Sequence, residues 1–278
     1  MKNIYYVLIF LLIFSGCNSS NPNNNAMSKE VKIIFLHRST GKNIWRADVS
    51  RLSYKIFKKG AVQKWFSKYN KEHSTNYRVE ETYFTADRGG YGWKNAPYDY
   101  YNIWVKNGGG KEYMKEPTLE TLTSKYDVII WKQCYPVSDI LPDTGNPDVN
   151  SPEQRIENYK LQYNKLKEKM RSFPNTKFIV WTGAALTKER TTPEKAQRAK
   201  DFFQWVKQEW DEPGDNIYVW DFYELETEGG LYFKDEYAVS PKDPHPSEKF
   251  SVKVYPHFCK RIVDVVEGRG DTSSITGQ

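Results

Sequence analysis

Five short apolar runs punctuate the chain: Val31 to Leu36, Tyr77 to Phe84, Asp127 to Trp131, Lys177 to Thr182 and Asn216 to Trp220. The first, third, fourth and fifth are continuous rather than alternating, which fits strands buried on both faces, as in a parallel sheet. The second alternates more and fits an edge strand. Between the runs lie helical patterns. Ile156, Tyr159, Tyr163, Leu166, Met170 and Phe173 recur at three- and four-residue steps and make one apolar stripe, with a start signal at Ser151-Pro152 and a stop at Pro174-Asn175. Thr192-Pro193 opens a second helix that carries Ala196, Ala199, Phe203, Val206 and Trp210 on one face and closes at Pro213-Gly214. The last helix is predicted from about Ser247 to Val266, kinked or delayed by Pro256.

Strands alternating with helices predict βαβ units, an α/β fold and a five-stranded, mainly parallel sheet. Ligands of such sheets bind beyond the carboxyl ends of the strands. The loops after Leu36, Phe84, Trp131, Thr182 and Trp220 are therefore where chemistry is expected. Two long irregular insertions, Thr85 to Lys115 and Cys134 to Ser151, fall in that set.

The N-terminus sets a compartment. A basic Met1-Lys2-Asn3 start precedes an apolar run from Tyr5 to Phe14, too short for a comfortable membrane span but suited to the core of a secretory signal. Phe14-Ser15-Gly16-Cys17 resembles a bacterial lipobox, with Phe14 where Leu is usual. That resemblance implies a signal peptide over 1–16, lipidation of Cys17, a flexible polar tether over 17–28 and a place in the cell envelope, anchored to a bacterial membrane and by expectation the outer one. One domain then occupies 29–267, and 268–278 reads as a disordered tail.

Composition adds two points. Aromatic residues make up 15% of the chain, and some of them, including Tyr91, Trp93, Tyr98, Tyr100 and Tyr101, lie in loop-like sequence. They either stack on sugar rings or pack under the long loop. The formal charge of +6 is spread along the chain, so no nucleic-acid footprint is expected. Cys134 and Cys259 remain after Cys17, and both a disulfide and two buried thiols are compatible with their surroundings. No paired His, Cys or carboxylate spacing suggests a metal, and no cofactor is expected.

The candidate chemistry lies near the two ends of the domain. Ser39 follows the first strand by three residues, where it can serve as a helix cap or, given a base, as a nucleophile. Gly41-Lys42 does not make a phosphate loop, because Leu36 and Asn43 occupy the positions that need Gly and Ser or Thr. Ser240-Pro241-Lys242-Asp243-Pro244-His245-Pro246-Ser247 puts a carboxylate and an imidazole together just before the last helix. Of the other histidines, His73 lies in a polar, Lys-rich stretch and His257 within the last helix.

A strand followed by Ser-Thr near the start and Asp-x-His-Pro-Ser before the last helix resembles the first and last blocks of the SGNH (GDSL-like) hydrolases. That resemblance implies a three-layer α/β/α, flavodoxin-like domain, with Ser39 as nucleophile, His245 as general base and Asp243 orienting it. The chain departs from the family in four places. His37-Arg38 replaces Gly-Asp before the serine, and one spacer between Asp243 and His245 is missing, so a backbone carbonyl is the alternative partner for the ring. The glycine block is represented by Gly89, Gly90 and Gly92, any of which can offer an oxyanion N–H. No asparagine follows the third strand, where Gln133 is the substitute carboxamide or a structural residue. The resemblance implies a serine esterase that removes acyl groups, acetyl among them, from glycans or other small esters. The alternative is a non-catalytic carbohydrate-binding lipoprotein on the same scaffold.

Overall fold

The computed structural model describes residues 28–86, 90–92 and 95–278. The expected signal peptide and the expected tether up to residue 27, with Cys17, together with Gly89 and Trp93, lie outside the described residues. In chain order the elements are β1 (Val31–His37), α1 (Ser39–Arg46), α2 (Arg51–Phe57), α3 (Ala61–His73), β2 (Tyr77–Tyr83), α4 (Pro97–Tyr100) and α5 (Leu119–Thr123). They continue with β3 (Val128–Trp131), α6 (Ile156–Arg171), β4 (Lys177–Trp181), α7 (Pro193–Trp205), β5 (Ile217–Trp220), α8 (Phe222–Thr227), β6 (Ala238–Ser240), β7 (Asp243–Pro246) and α9 (Glu248–Val266). No helix among the described residues is long and apolar enough to cross a membrane.

The main sheet has the order β2-β1-β3-β4-β5, and every pairing in it is parallel. This is a doubly wound α/β fold with the flavodoxin-like strand order. The α1, α3 and α9 helices pack together over one face. The other face carries α6, α4 and the π-helical turn Tyr101–Lys106, with α7 beside them. The continuous apolar runs are explained by this sandwiching: all four residues of β3 are buried, as are Ile33 to Leu36 of β1 and Phe178 to Trp181 of β4. β2 sits at the edge and buries only Val79.

The high aromatic content fills both interfaces. Toward α9, Phe35 stacks on Trp181 with ring centroids 4.8 Å apart and meets Phe258 at 5.0 Å, while Trp181 meets Trp220 edge-on at 4.2 Å. Toward α6, Trp131 lies 4.7 Å from Tyr100 and 5.6 Å from Tyr163. Tyr100 and Tyr101, read from sequence as either sugar platforms or loop packing, are buried core residues.

Four sequence expectations need correction. The segment 268–278 is packed, not disordered: the Trp220 indole N–H donates to the Thr276 carbonyl at 2.9 Å, the Asp221 N–H to the Ile275 carbonyl at 2.8 Å, and buried Arg261 donates to the Gly270 carbonyl at 2.6 Å. Helix α6 starts at Ile156, later than Ser151-Pro152 suggested. Helix α9 starts at Glu248 and runs through Pro256, so the proline does not delay its start. The Asp243–His245 segment is a strand, paired antiparallel with β6, rather than a plain loop.

The cross-strand aromatic contact yields a stability test. Phe35→Ala removes a fully buried ring held between β4 and α9, and should cost about 3–5 kcal/mol in denaturant unfolding. A loss below about 1 kcal/mol would show that the layers do not depend on this contact.

Candidate active site

The site is built where β1 and β3 end side by side. Leu36 pairs with Trp131 in register, so Ser39 and Cys134, each three residues further on, emerge next to one another. Ser39 is the first residue of α1, and the cap position belongs to Arg38, which makes no side-chain cap bond. The Ser39 hydroxyl is therefore not used as a helix cap; its Oγ lies 3.4 Å from Cys134 Sγ. Gly41 lets α1 pack down on β1, since a Cβ there would fall 2.5 Å from the His37 Cβ. His37 itself is buried, hydrogen-bonded to Glu81 on β2 through Nε2 and to the Arg38 carbonyl through Nδ1.

The β6–β7 hairpin brings in the second half. Asn43 of α1 donates to the Pro246 carbonyl at 3.1 Å, which fastens the hairpin to the helix that carries Ser39. One residue intervenes between Asp243 and His245, yet the carboxylate reaches the ring: Asp243 Oδ1 lies 2.5 Å from His245 Nδ1 and also accepts from the His245 backbone N–H at 3.2 Å. No backbone carbonyl takes its place. Partial burial pushes the Asp243 carboxyl up, but its hydrogen bonds and the His245 charge outweigh this and hold it below the usual carboxylate range. The Tyr135 ring meets the imidazole edge-on at 5.1 Å.

Ser39, Cys134 and His245 line a single cavity of about 600 Å³, together with Arg38, Asn95 and Tyr98 from the flanking segments. Ser39 and His245 share this cavity without a hydrogen bond between them, because the serine is turned to the thiol.

Four residues at or beside this cavity escaped sequence reasoning. Cys134 was read as half of a disulfide or as an inert buried thiol; Cys134 and Cys259 are both free. Burial pushes the Cys134 thiol up, but the Lys132 ammonium, 3.7 Å away, and hydrogen bonds from Ser39 and Thr40 outweigh it and hold the thiol below its usual range. Lys132 is fully buried, and burial pushes its ammonium down against the opposing pull of Cys134. Asn95 lines the cavity, but its amide donates to the Phe84 carbonyl at 2.8 Å and to the Tyr100 hydroxyl oxygen at 3.0 Å. Arg38 is buried at the cavity wall, where burial lowers its guanidinium against the opposing charges of Cys134 and Glu116. An available signal was the position of Cys134 and Asn95 beyond strand ends.

The two expected oxyanion residues are not in the cavity wall. Gln133 is fully buried, and its Oε1 accepts from the Tyr163 hydroxyl at 2.8 Å, which makes it a core residue between β3 and α6. Gly90 sits where the chain crosses itself: a Cβ there would fall 2.1 Å from the Met114 carbonyl oxygen. Gly92 offers its carbonyl to Thr85 Oγ1 at 2.8 Å, and Gly89 is outside the described residues.

No family model matches the chain, and no curated protein matches it. Among solved structures it is similar to one described by the statement that the active site of a carbohydrate esterase displays divergent catalytic and non-catalytic binding functions. The identity is 12% and the TM-score 0.39, over 84% of this chain and 65% of that one. The chain thus spans less than two-thirds of that structure, and a likeness this distant carries no argument about chemistry.

The thiol gives a direct test of the electrostatics. With the pH raised stepwise, alkylation of Cys134 by iodoacetamide should begin below the ordinary thiol range, and Lys132→Met should shift that onset upward. Cys259, whose thiol burial pushes far up, should react only after unfolding. Equal labelling of both cysteines in the native protein would refute the arrangement.

Proposed function

We propose that the chain is a serine esterase of the SGNH type that removes acyl groups, acetyl in the first instance, from glycans at the cell envelope. The observation that carries this reading is the Asp243–His245 pair, 2.5 Å between Oδ1 and Nδ1, facing the same cavity as Ser39 at the carboxyl end of a parallel sheet. Asp243 holds Nδ1, which leaves Nε2 to accept a proton. Ser39 must first rotate from Cys134 toward the imidazole. His245 then takes the hydroxyl proton as Oγ attacks the ester carbonyl, and returns it to the departing sugar alcohol. Water, deprotonated by the same imidazole, releases the acyl group from Ser39. Tyr98, Tyr135 and Pro136 give the cavity the flat apolar surfaces that a pyranose face packs against.

A second reading has one observation in its favour. The resting Ser39 hydroxyl points to Cys134, and Gln133 lies outside the cavity wall, which suits a cavity that binds an acylated carbohydrate without turning it over. Hydrolysis of an aryl acetate separates the two. For an esterase, Ser39→Ala and His245→Ala should each lower kcat by at least about a thousandfold, with Asp243→Asn comparably severe because the carboxylate reaches the ring. Full activity in Ser39→Ala would show that another residue is the nucleophile, and no activity in the wild type would favour the binding protein.

The envelope assignment rests on the lipobox resemblance at Cys17. Labelled palmitate fed to the producing bacterium should appear on the wild-type chain and not on Cys17→Ala, and the variant should leave the membrane fraction or remain unprocessed. A wild-type protein that is wholly soluble and carries no N-terminal lipid would rule the anchor out.

A further inference from the structure

We propose that helix α2 is a docking element that seats the domain on an anionic lipid surface. The helix buries none of its seven residues, and Leu52, Ile56 and Phe57 are 69%, 62% and 67% exposed. Three large apolar side chains on one short exposed helix are not what a water-facing surface requires. The helix is nonetheless held in place. The Ser50 hydroxyl oxygen accepts from the Ser53 N–H at 3.1 Å, and Tyr54 packs against the core. Leu52 and Ile56, one turn apart, occupy the side away from Ser53 and Tyr54, the two residues of the helix that are half-buried.

Charge selects the occupant. From Val49 to Lys71 the chain carries no Asp or Glu. Arg51, Lys55, Lys58 and Lys59 are exposed around the three apolar side chains, and none forms an ion pair; the nearest one in sequence joins Lys68 to Glu72. An apolar groove on a neutral protein would accept Leu52, Ile56 and Phe57 but leave four cations unanswered. A nucleic acid would answer the cations and leave the apolar side chains in water. An anionic bilayer satisfies both, with Leu52 and Ile56 entering the headgroup–acyl boundary, Phe57 at the helix end beside them, and Lys and Arg meeting lipid phosphates. The Lys42 ammonium, in the first turn of α1, sits 5.5 Å from the Tyr54 ring and 5.1 Å from that of Tyr83. Docking therefore occurs at the end of the sheet that also carries Ser39. The proposal depends neither on the esterase reading nor on lipidation of Cys17.

The test uses the full chain with Cys17→Ala, so that no attached lipid contributes, and vesicles of phosphatidylglycerol or of phosphatidylcholine. Deuterium exchange in peptides covering Arg51–Phe57 should slow with phosphatidylglycerol vesicles and not with phosphatidylcholine. Replacing Leu52, Ile56 and Phe57 together by Ser should abolish that protection and weaken sedimentation with the vesicles by at least about tenfold. Lys55→Gln, Lys58→Gln and Lys59→Gln should each weaken it by about fivefold at low salt and less at high salt. These surface changes should leave the thermal melt and hydrolysis of a soluble aryl acetate unaltered. Unslowed exchange across α2 on phosphatidylglycerol, or sedimentation unchanged by the triple replacement, would overturn the proposal.

Discussion

The pairing of β1 with β3 is the constraint on which the rest of the molecule depends. Between these strands the chain order of the sheet reverses, with β2 added on one side and β4 and β5 on the other. Helices leaving the two strands diverge to opposite faces, and a crevice opens between their carboxyl ends. The register Ile33 to Val128 through Leu36 to Trp131 is held by residues that are all buried. A slip by one residue would turn every side chain of β1 to the opposite face, and because both faces are packed it is the fit of particular side chains, such as Phe35 between Trp181 and Phe258, that fixes it. The same register brings Ser39 beside Cys134. The serine–thiol contact is thus a consequence of sheet packing, carried three residues past the last ladder position.

That contact has an electrostatic cost with a functional consequence. Lys132 points into the domain, where an ammonium without a counter-charge is strongly disfavoured. Glu226, also fully buried, pulls in favour of the ammonium, while burial pushes its own carboxyl well up. Cys134 pulls in the same direction: its sulfur lies 3.7 Å from the Lys132 ammonium and 3.4 Å from the Ser39 hydroxyl, and donates to Thr40 Oγ1 at 4.0 Å. In the proposed reaction, rotation of Ser39 toward His245 is the motion that separates its oxygen from the sulfur.

The strands were legible because burial on both faces leaves an unmistakable apolar run; even the edge position of β2 showed in its alternation. His245 and Asp243 were legible through scarcity of histidine and proximity to the last helix. Other features depend on partners distant in sequence. The segment after Gly268 is polar and reads as disordered, but its backbone carbonyls answer Trp220 and Arg261, two buried donors contributed by β5 and α9. Gln133 stood where a carboxamide was sought, yet side chains alternate along an extended segment, and its side chain points to Tyr163 while Cys134 opens to the cavity. The hairpin of β6 and β7 has a Pro-rich sequence of three- and four-residue strands, which gives periodicity nothing to detect.

The division of labour within the crevice follows from which segments are rigid. Ser39, Cys134 and the Asp243–His245 pair are set by the ends of buried strands and by a hairpin fastened through Asn43. The wall opposite them comes from the insertion after β2, whose fixity arises from polar contacts of its own. Tyr91 donates to Asp99 at 2.9 Å and accepts from Asn102 at 3.1 Å, and Asp99 in turn accepts from the Ala96 N–H at 2.7 Å. Burial around Tyr91 drives its phenol far up, so this hydroxyl keeps its proton and the network stays intact at any physiological pH. Asn95 and Tyr98 therefore stand on a braced loop rather than a loose one. Side chains on such a loop can be exchanged without disturbing the sheet, whereas those at the strand ends cannot. In the proposed esterase, selectivity for the acylated partner accordingly belongs to the insertion, and bond breaking to the strand ends and the hairpin.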